Sequence, residues 1–348
     1  MSASLEDGAR LDFVLALRRR WADTVYPHLR EAFDAAGGDD TRPPAELAQA
    51  VHALPGFGAF AWLERGSQKM LWRAVEDAVA GRPAEADAPA AAASPVQVDP
   101  ALQLPSWYTD WDIHLQPGGV WSSRASAHVY ELGAKLVMMG ENDDYSFHRL
   151  FAETALPKRD YARIVDLGCG FGKSTWPLKA AFPQAEVTGV DLAAPCLELA
   201  AGRAAARQLA VTFRQGDACA TGLEGGGFDL VTSTMLVHEL PREALVSLLR
   251  EAARLLAPGG VLAFLDFQPT GDGFRDLSLV EHSARNNEPF MAPMMAMDLV
   301  GEAQAAGLVH ARWTAFDERG AGDLGQPAWP RRREWHFPWA VLHAEKPA

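Results

Sequence analysis

Apolar residues recur at three- and four-residue steps near the start of the chain: Val14, Leu17, Trp21, Val25, Leu29 and Phe33. Arg18, Arg20, Asp23, Arg30 and Glu31 occupy the other faces. A stripe with that period marks an amphipathic helix, because 3.6 residues complete a turn. A second helical run covers Gln68 to Ala80 and stops at Gly81. The stretch GRPAEADAPAAAASPVQVDP that follows has too few large apolar groups to pack and reads as a linker. The pattern therefore predicts an N-terminal helical region over 1–81 and an Ala/Pro-rich linker over 82–105.

From Ser106 the texture changes to aromatics and turn residues, SWYTDWDIHLQPGGVW. Helices are expected from Ser126 to Met139, stopped by Gly140, and from about Tyr145 to Ala155. Residues 106–160 group as a cap or lid segment. Beyond Ala162, short apolar runs alternate with helical stripes. Strands are expected at Ile164–Val165, Glu186–Val190, Val211–Arg214, Phe228–Thr232 and in VLAFLDF. Helices are expected near Lys173–Ala181 and Pro195–Gln208, with a third starting at Pro241. Two last runs, Val309–Phe316 and Trp335–Ala344, suit a closing antiparallel hairpin. Alternating β and α units imply an α/β fold. The expected architecture is a doubly wound, mainly parallel, seven-stranded sheet over 161–348 with an N-terminal helical accessory region.

Composition narrows the partners. The 348 residues are 48% hydrophobic and 22% charged, with a net charge of −13. That balance argues against a nucleic-acid partner, which needs clustered Lys and Arg. A dense basic cluster, Arg331-Arg332-Arg333, reads as a solvated loop. The N-terminal residues carry no basic stretch followed by an apolar run. No segment approaches the ~18–20 apolar residues of a membrane span. A cytoplasmic protein without a membrane partner is expected. Cys169, Cys196 and Cys219 match no metal spacing and read as buried thiols.

The stretch VDLGCGFGKST, Val165 to Thr175, carries the candidate chemistry. A nucleotide P-loop needs glycine five residues before Gly172, and Leu167 stands there. A dinucleotide fingerprint puts Lys173 or Thr175 where a small residue belongs. The form hydrophobic-Asp-x-Gly-x-Gly-x-Gly fits a third pattern. It resembles the first motif of the class I S-adenosylmethionine-dependent methyltransferases. The others follow in order: Asp191 in VTGVDLA, Asp217 in RQGDA, the FDLVTSTMLVHEL segment and LLAPGGVLAFLD. The resemblance covers about residues 160–348.

The resemblance implies S-adenosyl-L-methionine as methyl donor. Gly168, Gly170 and Gly172 would let the backbone approach it without a Cβ in the way. By resemblance, Asp166 lies near the donor's amino group. Asp191, followed by Leu192, would accept hydrogen bonds from the ribose hydroxyls. Asp217 would meet the adenine amine, with Ala218 alongside. Lys173, Ser174 and Thr175 become the first turn of a helix with no phosphate duty.

Methyl transfer needs alignment of acceptor and donor and, where necessary, proton removal. Three segments are candidates for the acceptor site. His238 in TMLVHEL is a base or a substrate orienter, or a helix-start residue bonded to backbone. The long connection after the fifth strand offers His282, Arg285, Asn286, Asn287 and Glu288, followed by apolar Phe290 and methionines. It forms either a substrate wall or a lid packed on the N-terminal region. In DIHLQPGGVW, His114 and Gln116 follow Trp107, Tyr108 and Trp111, aromatics that would close over the donor or form a packing seam. The catalytic candidates are thus His238, His114 and His282. No metal ligands are assigned, because no local metal spacing exists. A metal-assisted C-methyltransferase using His114, Gln116, His238 and His282 is a lesser alternative.

The expected function is methyl transfer to a small-molecule acceptor, free or carrier-bound. The rivals are a catalytically silent S-adenosylmethionine-binding partner protein and an NAD-dependent oxidoreductase. The N-terminal helices resemble family extensions that build a substrate cavity or a homodimer interface.

Overall fold

In the computed structural model, the described residues are 4–81, 96–140, 142, 144–317 and 332–348. Most of the expected linker, residues 82–95, lies outside them, as do residues 318–331 of the loop before the last strand. The chain opens with four helices: α1 (Leu5–Arg20), α2 (Tyr26–Ala35), α3 (Pro44–His52) and α4 (Phe57–Ala80). A π-turn over Trp21–Val25 joins α1 to α2, so the expected first helix runs almost unbroken. Arg18 corrects the expected polar face: it is buried and donates to Gln68 of α4. The α3 helix and the first half of α4 were not foreseen. Gly56, Gly58 and Gly66 punctuate that stretch and hide its period.

The sheet has seven strands: β1 (Arg163–Leu167), β2 (Glu186–Asp191), β3 (Thr212–Gln215), β4 (Phe228–Thr234), β5 (Leu256–Phe267), β6 (Val309–Ala315) and β7 (Trp339–Glu345). Their order is β3-β2-β1-β4-β5-β7-β6. The first five are parallel, and β7 runs antiparallel to both β5 and β6. The expected seven-stranded sheet with its closing hairpin is therefore present. Helices cover both faces, which is why VLAFLDF of β5 reads as a nearly unbroken apolar run. Strand order reverses between β1 and β4. In such sheets the crevice at that switch point, at the strands' C-terminal ends, is where ligands bind.

Three further expectations need correction. The tail of the expected linker joins the sheet edge, because Gln97 N donates to Phe213 O and Gln215 N to Gln97 O. The long connection after β5 is largely helical, over Gly273–Arg285 and Met291–Met295. Asp272 caps the first of these by accepting from Arg275 N at 3.0 Å. Of the expected solvated arginines, Arg332 is instead largely buried against Asp317, while Arg333 is exposed and pairs with Glu31. Arg331 lies outside the described residues. Cys169 and Cys196 are buried free thiols, and Cys219 is partly buried.

The N-terminal helices share the apolar core of the sheet. Trp21 meets Trp335 edge-on at 5.5 Å between ring centres, and Phe33 meets Phe274 at 5.2 Å. Arg30 of α2 binds Asp272 at 2.8 Å and Asp40 at 2.9 Å, tying α2 to the start of the Gly273–Arg285 helix. Trp72 of α4 lies flat against Gly133 of helix Arg124–Val137, where an added Cβ would overlap the indole. Alanine in a helix gains roughly 1 kcal/mol over glycine. Overpacking a filled core costs roughly 1–3 kcal/mol. Because Trp72 is only 1% exposed and cannot retreat, the clash dominates. Gly133→Ala is expected to lower the denaturant midpoint. A midpoint equal to or above that of the parent chain contradicts this packing account.

Candidate active site

The loop after β1 is shaped by its backbone bonds. Gly168 N and Cys169 N both donate to Val190 O, and Gly170 N donates to Asp191 Oδ2 at 2.8 Å. The loop is thereby pinned onto the end of β2. Gly168, Gly170 and Gly172 have φ of 70°, 52° and 87°, a region that costs other residues strain. Asp191 completes its own cap by accepting from Ala193 N at 2.8 Å. Burial pushes its carboxyl above the ordinary range.

Above this loop is a cavity enclosing about 940 Å³ of empty space. Gly168, Gly170, Asp191, Leu192, Asp217 and Ala218 form one wall. Trp107, Tyr108 and Trp111 of the cap segment also line the cavity. Asp217 also accepts from Cys219 N at 2.8 Å. Two expected donor contacts do not line the cavity. An added Cβ on Gly172 would meet the Trp176 indole, so this glycine serves packing. Asp166 is fully buried and accepts from the hydroxyls of Ser174 at 2.6 Å and Thr175 at 2.7 Å. Burial raises its pKa to about 6 against the pull of those hydroxyls. Ser174 and Thr175 thus fix the loop's far end to β1, a task the sequence alone does not display.

A second cavity of about 830 Å³ adjoins the first. Both are lined by His114, Tyr130, Met235 and Glu239. His238, His282, Glu288 and Lys173 add to its polar lining, and Phe267 and Trp339 supply apolar wall. All three histidines singled out from sequence therefore face one chamber. Gln116 does not: it is buried elsewhere and donates to Ser126 O at 3.1 Å.

Each histidine is held by a carboxylate. His238 Nδ1 lies 2.7 Å from Asp266 Oδ1, and Asp266 also accepts from Val237 N at 2.7 Å. His114 lies between two acids, with Nδ1 2.8 Å from Glu288 and Nε2 2.9 Å from Glu239. His282 pairs with Glu64 of α4. Burial alone would depress the His114 pKa, but Glu288 and Glu239 outweigh it and lift it to about 10. His238 follows the same logic: burial lowers it, Asp266 raises it more, and the net shift is upward. His114 carries positive φ (59°), as do Met235 (58°) and Asn287 (59°). Non-glycine residues held there are sparsely populated and cluster at functional sites. The carbonyl of His114 is fixed by Gln68 Nε2 and Trp72 Nε1, so α4 helps hold that conformation.

Residues 164–260 match the family model for a methyltransferase domain. The chain carries a class I, Rossmann-like S-adenosylmethionine-dependent methyltransferase domain. Curated relatives agree over this region. A demethylmenaquinone methyltransferase of Thermus thermophilus is 38% identical over 41% of this chain and 63% of its own length. A trans-aconitate 2-methyltransferase of Deinococcus radiodurans is 42% identical over 32% of this chain and 40% of its own. A demethylmenaquinone methyltransferase of the same organism is 32% identical over 41% and 58%. The chain thus spans less than two thirds of the length of these relatives. The matched segment of the methyltransferase domain includes β1, β2, β3 and β4 with the glycine loop, and stops within β5.

Sequence reasoning gave Lys173 no role in the methyltransferase domain beyond a helix turn. Its Nζ instead lines the chamber, 3.3 Å from Tyr130 Oη and 3.5 Å from Met235 Sδ. Burial lowers its pKa to about 8. The folded chain therefore releases this proton before the unfolded chain does. Between about pH 8 and the ordinary lysine value of 10.5, the unfolded state binds more protons, so this residue makes stability rise with pH. Lys173→Met is expected to remove that rise, read as the difference between denaturation curves of parent and variant at pH 7.5 and 10 (about the ends of the window). Parallel pH profiles for the two proteins contradict a Lys173 whose pKa is lowered by burial.

Proposed function

We propose that the chain transfers a methyl group from S-adenosylmethionine to a small-molecule acceptor. The observation that carries this reading is the junction of the two cavities: a glycine-walled cavity and a histidine-lined chamber share His114, Tyr130, Met235 and Glu239. The residues of the first cavity fit the donor. Gly168 and Gly170 leave room for its methionine part, and Asp191 and Asp217 stand at the ends of β2 and β3 as acceptors for ribose hydroxyls and adenine amine. The aromatic wall of Trp107, Tyr108 and Trp111 suits a sulfonium cation. Bound there, the donor supplies an electrophilic methyl group for in-line displacement.

The chain's own part is to align and to exclude water. Tyr130 and Met235 stand between donor and acceptor sites. Phe267 and Trp339 give the acceptor an apolar wall, and Lys173 offers it a positive charge. His238, oriented by Asp266, faces the acceptor as base or orienter. The relatives named for demethylmenaquinone and trans-aconitate support a small molecule as acceptor. The separate roles of the N-terminal helical region (1–81) and the cap (106–160) follow the same reading: the first supports the chamber and the second closes the donor cavity.

Calorimetry with S-adenosylmethionine tests the donor half. A hydrogen bond to a charged group contributes roughly 1.5–3 kcal/mol, so Asp191→Ala is expected to weaken binding by about ten- to a hundredfold. Circular dichroism should show the variant folded. An unaltered dissociation constant would sink the ribose role of Asp191. The acceptor half is tested with methyl-labelled donor and separated cellular fractions. Label should enter low-mass compounds, and label found only in protein or nucleic acid overturns the reading.

A further inference from the structure

Among the described residues, His114, His238 and Glu239 place three ligand atoms within 4.8 Å of one another. The relevant atoms are the Nε2 atoms of both histidines and a Glu239 oxygen. His114 Nε2 is 2.9 Å and His238 Nε2 3.8 Å from Glu239 Oε1. The remaining ring nitrogens are already spoken for: His114 Nδ1 by Glu288 and His238 Nδ1 by Asp266. Metal-binding histidines characteristically have the other ring nitrogen held in this way, by a carboxylate that fixes the ring and raises its basicity. Here two such pairs converge on one carboxylate at the wall of an open chamber.

We propose that His114, His238 and Glu239 form a three-ligand site for one divalent first-row transition ion, with its open positions facing the acceptor chamber. Two imidazoles and a carboxylate suit iron, cobalt, nickel or zinc, and do not suit magnesium or calcium, which want oxygen ligands throughout. Ligands about 2.1 Å from an ion lie roughly 3–3.5 Å apart, so a movement of about an ångström in an imidazole closes the set. The ion takes the place of the proton now held between His114 and Glu239. The left-handed backbone at His114 turns its ring toward His238, the two ring centres lying 6.4 Å apart. His282 stands outside the set because Glu64 and Asn286 hold its two ring nitrogens. The site's place in the reaction rests on the function proposed above. The ion would bind acceptor oxygens as a Lewis acid, and His238 would orient the acceptor through it.

The test uses the full chain without an affinity tag, stripped with chelator and titrated with Co²⁺. Uptake of one ion per chain, with visible ligand-field bands, is expected. His238→Ala and Glu239→Gln should each abolish the bands. Asp266→Asn, which leaves the ligands in place but weakens their support, should loosen cobalt by about ten- to a hundredfold. Asp191→Ala should bind cobalt as the parent does. The proposal fails if the parent chain takes up no stoichiometric cobalt, or if uptake survives in His238→Ala and Glu239→Gln. Donor binding measured on the same samples separates the two readings. Donor affinity without cobalt uptake removes the metal site alone, and cobalt uptake without donor affinity removes the methyl-transfer function while leaving the site.

Discussion

Buried carboxylates at the C-terminal ends of the strands are the constraint around which the rest of this protein is arranged. Asp166 and Asp266 are fully buried, and Glu288 is 7% exposed. An unpaired buried charge is costly, so each must be neutralised or met by donors. Asp166 is met by Ser174 and Thr175, Asp266 by the His238 ring and the backbone amides of Val237, His238 and Phe267, and Glu288 by His114. Each of these pairings also fixes a piece of the site. The first sets the glycine loop, the second aims His238 into the chamber, and the third holds the cap segment against helix-flanking residues more than 170 positions away.

The same pairings explain why the N-terminal helices are needed. His114 reaches Glu239 and Glu288 from a left-handed backbone conformation, which costs of order 1–3 kcal/mol. Its carbonyl is gripped by Gln68 and Trp72, and Trp72 packs against the small surface of Gly133. The helices thus do more than cover apolar surface. They hold a strained residue at the junction of two cavities. Glu64 of α4 does the same for His282.

The sheet was legible in the sequence because parallel strands are local signals: short apolar runs, each ended by glycine, proline or aspartate. The residues proposed to hold the donor were legible for the same reason, since Asp191 and Asp217 follow strands that pattern alone identifies. The partners of the histidines were harder. Glu64 sits on a helix whose first half was obscured by Gly58 and Gly66. Asp266 was the most accessible clue missed, being an acid near the end of an otherwise apolar strand. Lys173 was misjudged because its neighbours suggested a phosphate loop, and rejecting the phosphate removed its apparent purpose. The side chain instead turns to Tyr130 and Met235, which no spacing rule connects to it.

This contrast follows from how the two cavities are built. The glycine and aspartate lining of the first cavity comes from consecutive turns of one alternating β and α series, so its residues keep a fixed order and spacing. The histidine-lined chamber draws on α4, the cap segment, the end of β4, the end of β5 and the segment after helix Gly273–Arg285. No two of its polar anchors share a local period except His238 and Glu239. Its charges are also mutually dependent: removing His114 would leave Glu239 and Glu288 facing each other in a buried space, and removing either acid would leave His114 with one partner. A chamber of that kind can change only by exchanging groups together, whereas the glycine loop is held by its own backbone bonds to the end of β2. The sharper chemical identity therefore lies in the part of the chain that sequence pattern describes least.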